Sequence, residues 1–299
     1  MNETHQRSKK AEHLHWLIQR YCLRARNPDR EAKVFAEIEE FLNTVVAYSP
    51  DVLLEINDSH SSFLTEALHS SYAAHNKDPM AWKHHKAEKL VGLILDFAGN
   101  HLTLREQAIL LTTATRDDFT PLHDAVLSGN FALYEKIHNA LESLQEQGEL
   151  TAGQVKKQYT LPTRNGITPL MDAINSGDTV LARSFFADIE QLLTREEMQQ
   201  QLQHRSQAGW NIFHSAHRPD ETRGKPNPLI EAALQDLFFR HFGNGRPARN
   251  PEARAVIETL YHEETPHGFR AIDRFNTPED SWQEKLRTLS DEPVALPER

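Results

Sequence analysis

Apolar residues recur at helical spacing over much of the chain, and that pattern predicts the elements. Leu14, Leu17, Ile18, Tyr21 and Cys22 share one face of a helix over 8–25. Val34, Phe35, Ile38, Phe41 and Leu42 do the same over 29–47. A further helix over 76–98 packs through Leu90, Leu93, Ile94 and Phe97 and ends near Gly99-Asn100, and another over 229–242 carries Leu229, Ala232, Ala233, Leu237 and Phe238. Polar punctuation separates these stretches. The proline-rich run 218–228 is an insertion, and the tail 291–299, with two prolines and little apolar content, predicts a flexible end.

The pattern also repeats. Arg116-Asp117-Asp118-Phe119-Thr120-Pro121-Leu122-His123-Asp124-Ala125 aligns with Arg164-Asn165-Gly166-Ile167-Thr168-Pro169-Leu170-Met171-Asp172-Ala173. Both continue into Ser-Gly-Asn or Ser-Gly-Asp, at 128–130 and 176–178, and then into apolar-periodic helices. A weaker third copy runs from Ser206 through Trp210-Asn211-Ile212-Phe213-His214 to Ala216. Each part has a physical reading. Thr120 and Thr168 cap helices whose first positions hold Pro121 and Pro169, where a missing N–H costs nothing. Leu122 and Ala125 point toward a neighbouring helix. Gly129 and Gly177 take the left-handed turn that ends a short helix, and Asn130 and Asp178 cap the next. Met171 in place of His predicts one missing local hydrogen bond, and loss of Thr-Pro in the third copy predicts a weaker cap.

A second periodicity runs between the copies. Thr103, Thr151 and Thr194 each precede the next repeat start (120, 168 and 211) by 17 residues, with Glu106, Gln154 or Glu197 three positions on. That spacing is a capping box, and it predicts an extra short helix in every inter-repeat connection.

The Thr-Pro-Leu-His-Asp-Ala and Thr-Pro-Leu-Met-Asp-Ala starts, each followed by Gly-Asn or Gly-Asp, resemble the ankyrin repeat. Fainter copies are Ser62-Phe63-Leu64-Thr65-Glu66-Ala67 and His267 to Asp273. The resemblance implies an all-α, ankyrin-like helical solenoid with extra inter-repeat helices. Residues 1–48 form an N-terminal helical cap, 49–290 the solenoid and 291–299 the tail. Core repeats lie at 116–145, 164–193 and 206–242, and degenerate ones at 58–98 and 266–290. Repeat starts 48 and 43 residues apart exceed the ~33 of an ordinary ankyrin unit. In style, such long units are similar to those of ankyrin-repeat effectors of intracellular bacterial pathogens.

Composition narrows function further. A formal charge of −10, from 33 Lys and Arg against 43 Asp and Glu, argues against nucleic acid as a partner. Apolar runs such as 91–95 are far shorter than the ~20 residues of a membrane span. The charged start carries no apolar export core, so a cytoplasmic location is expected, or host cytosol for a secreted effector. Cys22 is the sole cysteine, which excludes an internal disulfide and a cysteine-cluster zinc site. Arg20, Arg24 and Arg26 around it suit a reactive thiolate, but its place on the apolar stripe predicts buried packing.

The 17 histidines are the compositional oddity. His13-x-His15 and His84-His85 cannot converge on one helix face, and His214-x-x-His217 can. Scattered surface and capping histidines account for them more simply, so no metal and no cofactor is expected. The stretch Arg240–Arg249 fits a phosphate grip or, more plainly, a solvated loop. No nucleophile elbow, phosphate loop or dinucleotide fingerprint occurs, and an enzyme is not expected.

The resemblance implies a protein-binding module. Its finger residues are Arg116, Asp117, Asp118, Arg164, Asn165 and Gln207, backed by Phe119, Ile167 and Trp210. The apolar residue before the repeat start recurs as Phe269. These apolar side chains are either partner anchors on the concave face or covers for the inserted helices. The partner is another protein, and the acidic charge favours one with a basic patch. The alternative is a secreted bacterial effector acting on host proteins, with a cryptic activity in 227–299 that a pocket of converging polar groups would reveal.

Overall fold

The computed structural model describes residues 9–24, 27–57, 60–75, 82–216, 227–242, 251–268 and 270–271. Among them are fourteen α-helices and no strand. The insertion at 218–226, the tail and Phe269 lie outside the described residues, as does nearly all of the 266–290 copy. The chain divides into two compact units, Met1–Arg164 and Asn165–Arg299.

The first unit opens with α1 (Lys9–Gln19), which runs into a π-helical turn at Arg20–Arg24. It is followed by α2 (Pro28–Phe41), a second π-helical turn and a 3₁₀ turn at Pro50–Leu54. Then come α3 (Phe63–His75), α4 (Trp82–His101), α5 (Leu104–Thr112), α6 (Pro121–Leu127), α7 (Phe131–Glu146) and α8 (Ala152–Thr160). First helices pack on first helices, α3 against α6, and second on second, α4 against α7. The N-terminal α1 lies on α3 and α2. Buried Lys86 of α4 fastens this end: its ammonium is 3.0 Å from Glu31 of α2 and 5.5 Å from the centre of the Tyr21 ring. Burial, with the Glu31 carboxylate beside it, holds the Tyr21 hydroxyl well above the usual tyrosine range.

The second unit holds α9 (Pro169–Asn175), α10 (Thr179–Leu192), α11 (Arg195–Leu202), α12 (Ile212–Ala216), α13 (Pro228–Phe242) and α14 (Pro251–His262). The same order of packing recurs, α9 against α12 and α10 against α13. At its centre Phe213 of α12 stacks on Tyr261 of α14 at 4.2 Å and on Phe238 of α13 at 5.2 Å.

Local chemistry explains the boundaries. Thr120 Oγ1 accepts the His123 N–H, Pro121 fills the first position, and Leu122 and Ala125 are fully buried. Thr168 caps α9 in the same way, through Met171 N–H, and the imidazole half of that cap is absent. Gly129 and Gly177 have φ of 68° and 77°, and Asn130 and Asp178 cap α7 and α10. The inserted helices α5, α8 and α11 start at Thr103, Thr151 and Thr194, each with its capping box complete. The N–H and hydroxyl of Thr103 both bond Glu106, which holds that carboxyl below its usual range.

Three details differ from the sequence expectations. Leu229 at the second position of α13 is 54% exposed, because Ile230, Leu234, Leu237 and Phe238 make the buried face. Cys22 is half-buried, in the π-helical turn whose extra residue per turn moves it off the stripe that Leu14, Leu17, Ile18 and Tyr21 bury. The third-copy cap is not weak. Asn211 Oδ1 accepts from Phe213 and His214 N–H, and its amide donates to the Leu260 carbonyl and to Glu263, each at 2.8 Å.

Candidate functional site

A short turn precedes each repeat start, and its geometry recurs. At 115–119, Thr115 N–H donates to the Phe119 carbonyl (2.8 Å), Asp118 N–H to the Thr115 carbonyl, and Phe119 N–H to Thr115 Oγ1. At 206–210 the same bonds join Ser206, Gly209 and Trp210, with Ser206 Oγ accepting. Asn57, His60 and Ser61 repeat them at the weak first copy. At the last copy Gly268 N–H donates to the Thr265 carbonyl, and Glu264 bridges Arg270. The residue before the closing one is left-handed in every case: His60 (φ 59°), Asp118 (62°), Gly166 (76°), Gly209 (74°) and Gly268 (76°). A hydroxyl or amide three residues earlier holds the turn, a role taken by Asn57, Thr115 and Ser206. That Ser/Thr/Asn signal, which also stands at Thr163 and Thr265, marks a turn geometry that the repeat motif alone does not include.

Successive turns touch by their backbones. In the first unit Arg164 N–H donates to the Asp117 carbonyl at 2.8 Å. In the second, Gln207 N–H donates to the Asn165 carbonyl at 2.9 Å, and His204 Nε2 lies 2.8 Å from the Gly166 carbonyl. A side chain at Gly166 would stand 2.9 Å from the Gln207 nitrogen, so glycine is required twice, for its φ and for this approach. Pro266 occupies the next equivalent donor position. It has no N–H to give, and its ring sits against Gly209, where a Cβ would meet it at 2.8 Å.

The predicted site residues therefore form one group in each unit. Arg116, Asp117, Asp118 and Arg164 stand exposed in the first, with half-buried Phe119. Asn165 and Gln207 stand exposed in the second, with half-buried Ile167 and Trp210. Phe119 lies edge-on to His123 at 5.8 Å, and Trp210 lies tilted over His214 at 6.2 Å. Each aromatic thus leans on the histidine of its own repeat and keeps part of its surface in water.

A second cluster is not marked by any motif in the sequence. Buried His15 of α1 meets Glu66 of α3 through Nδ1, and Gln19 donates to the same carboxylate at 2.7 Å. One turn on, exposed His69 reaches the buried Asp124 of α6 at 3.3 Å. The hydrogen bond to Asp124 raises the His69 imidazole above its usual range, while burial pushes the Asp124 carboxyl up. Asp124 is the residue after the repeat histidine, and Asp172 stands at the same position of the second copy.

Two further histidines pin elements. His138 of α7 bonds the Tyr159 hydroxyl of α8 at 2.5 Å, and His241 of α13 lies 2.8 Å from Glu190 of α10. Arg240 adds two bonds to Glu190 at 3.0 Å each. Although burial raises the Glu190 carboxyl, His241 and Arg240 outweigh it and hold it below its usual range. Arg240 and His241, the described start of the basic stretch, are therefore engaged internally, and 243–249 lie outside the described residues. Among the described residues no group of three or more His, Cys, Asp or Glu could hold a metal ion. No described helix is long and apolar enough to cross a membrane.

A cleft of about 290 Å³ opens beside α14, lined by Gln203, Arg205, Glu252, Val256, Thr259 and Leu260. Of its lining, Arg205 pairs with Glu263 at 2.5 Å, and Gln203 and Glu252 are exposed. No family model matches the chain, and no curated protein is significantly similar to it.

Proposed function

We propose that the chain is a non-enzymatic protein-binding module: ankyrin-like repeats stacked as a helical solenoid with extra inter-repeat helices, under an N-terminal helical cap. The partner is a protein held by the fingers. The observation that carries this reading is the finger geometry. Turns with a left-handed tip bond backbone to backbone, Arg164 to Asp117 and Gln207 to Asn165, and hold charged and amide side chains in water. In each unit, backbone-bonded turns with half-buried apolar side chains behind them suit recognition, because an ordered surface loses little entropy when it binds. The formal charge of −10 favours a partner with a basic patch.

The test is site-specific photo-crosslinking in a lysate. A crosslinking phenylalanine at Gln207 is expected to capture a discrete partner, and the same group at Gln191, exposed on α10, is expected to capture none. Capture from both positions, or from neither, rules the finger surface out.

A further inference from the structure

We propose that the fingers at 115–119 and 206–210 are acid-gated, each held closed by a buried histidine whose Nδ1 must carry no proton. The gating stands on geometry alone; its consequence for partner binding rests on the function proposed above.

The hydrogen bonds fix the state of His214. Its Nε2 lies 3.0 Å from the Glu263 carbonyl oxygen, which can only accept, so Nε2 carries a proton. Its Nδ1 lies 3.1 Å from the Asn211 backbone nitrogen, which can only donate, so Nδ1 carries none. His123 repeats the second half: its Nδ1 faces the Thr120 N–H at 3.4 Å and the Thr120 hydroxyl at 3.0 Å. Both rings are fully buried. At His214 protonation turns Nδ1 into a donor facing the Asn211 N–H, away from water that could relieve it; at His123 it does so against the Thr120 N–H, while the Thr120 hydroxyl can turn to accept. The cap residues Thr120 and Asn211 directly follow the turn-closing Phe119 and Trp210, whose rings lean on these same imidazoles. A lost cap therefore loosens the turn and displaces the aromatic together.

Neighbouring groups bear on the balance. Around His123, α6 itself brings Asp124 and α3 brings His69, which bond each other. The buried titratable side chains on α7 and α8 are Tyr134 and Tyr159, and α5 brings none that is buried. Around His214, α9 brings buried Asp172, α14 brings Tyr261, and Glu263 follows it. The Glu263 carboxylate favours a charged ring, but its oxygens are already bonded to Arg205 and Asn211. The chain supplies its own control in Met171, which stands where the copies at 116 and 206 have histidine; the His204 imidazole at the 163–167 finger faces the Gly166 carbonyl through Nε2, a contact that protonation keeps.

Hydrogen exchange tests this on the full chain, from about pH 7.5 to about pH 5.5, either side of the ordinary histidine value of ~6.5. Rates are referenced to unstructured peptides of the same sequence. Protection over 115–123 and 206–214 is expected to fall about tenfold or more, the worth of one buried hydrogen bond, and that over 163–171 less than about twofold. His123→Met and His214→Met should each abolish the response of their own finger and leave the other as a folding control. Imidazole nitrogen NMR at the higher pH should show the Nε2–H tautomer at both sites, and this needs no variant. An equal response of all three fingers, or a Nδ1–H tautomer at either site, overturns the gating. Crosslinking from Gln207 that fails at every pH sinks the function and leaves the gating intact. Capture with pH-independent protection does the reverse.

Discussion

Asp124 has one described hydrogen-bond donor, the exposed imidazole of His69, and its Oδ2 has no partner among the described residues. Both members of the pair have folded values raised above the ordinary ones, Asp124 by burial and His69 by Asp124. A raised value means that the folded state holds its proton longer than the unfolded chain does, so stability falls as pH rises. For Asp124 the fall begins above its ordinary ~3.9, and for His69 it continues above ~6.5. Asp124→Asn removes both contributions. The stability difference between wild type and Asp124→Asn, from urea unfolding at several pH values, should therefore shift steadily against wild type between about pH 4 and pH 8. A difference that stays flat between about pH 4 and pH 6 would show that Asp124 is already ionised in the fold. Trp210 makes a second residue-scale case. Its half-buried ring forfeits part of its burial to water, so Trp210→Ala should cost about 1.5 kcal/mol in thermal unfolding, roughly half the toll of a fully buried Trp.

Helix boundaries show which physics is legible in a bare sequence. Thr120, Thr168 and the three boxes at Thr103, Thr151 and Thr194 act through bonds spanning three residues, so their partners stand in the same short string. The left-handed Gly129 and Gly177 are local in the same sense. The full strength of the Asn211 cap is not legible locally, because part of it comes from Leu260 and Glu263, about fifty residues away. The link between His69 and Asp124 was invisible for the same reason, spanning 55 positions. Leu229 looked like a core residue because helical spacing does not say which of two apolar stripes turns inward. Of the candidate site, the exposed tips were readable and the backbone bonds between turns were not. At this scale Leu122→Ala or Leu170→Ala should cost ~2–5 kcal/mol, since both side chains are fully buried on first helices. Thr151→Ala should cost ~1 kcal/mol through the cap of α8. Gly166→Ala should cost more than that cap does, because it meets a positive φ and a backbone nitrogen at once. Chemical denaturation ranks the four, and a harmless Gly166→Ala would mean that neighbouring turns do not press on each other.

Charge acts on the molecule as a whole. At neutral pH the chain carries −10, and its 17 histidines can cancel that excess on acidification, in keeping with an isoelectric point near 5.9. The proposed partner with a basic patch would be drawn in by a field that both salt and acid weaken. The two levers separate the field from the fingers. Salt screens exposed charges with a Debye length of about 8 Å at ~0.15 M and about 3 Å at 1 M, and leaves buried Nδ1 acceptors untouched. Raising the salt at neutral pH should slow association of the Gln207-captured partner by about tenfold or more and barely alter its dissociation, because steering acts on encounter. Lowering the pH at constant salt should slow association and speed dissociation together, since the field fades and the Phe119 and Trp210 fingers loosen. In a double His123→Met, His214→Met chain the acid effect on dissociation should vanish while the effect on association survives, and surface-sensor kinetics read the two separately. Dissociation that quickens with acid as much in the double variant as in wild type would assign the whole effect to charge.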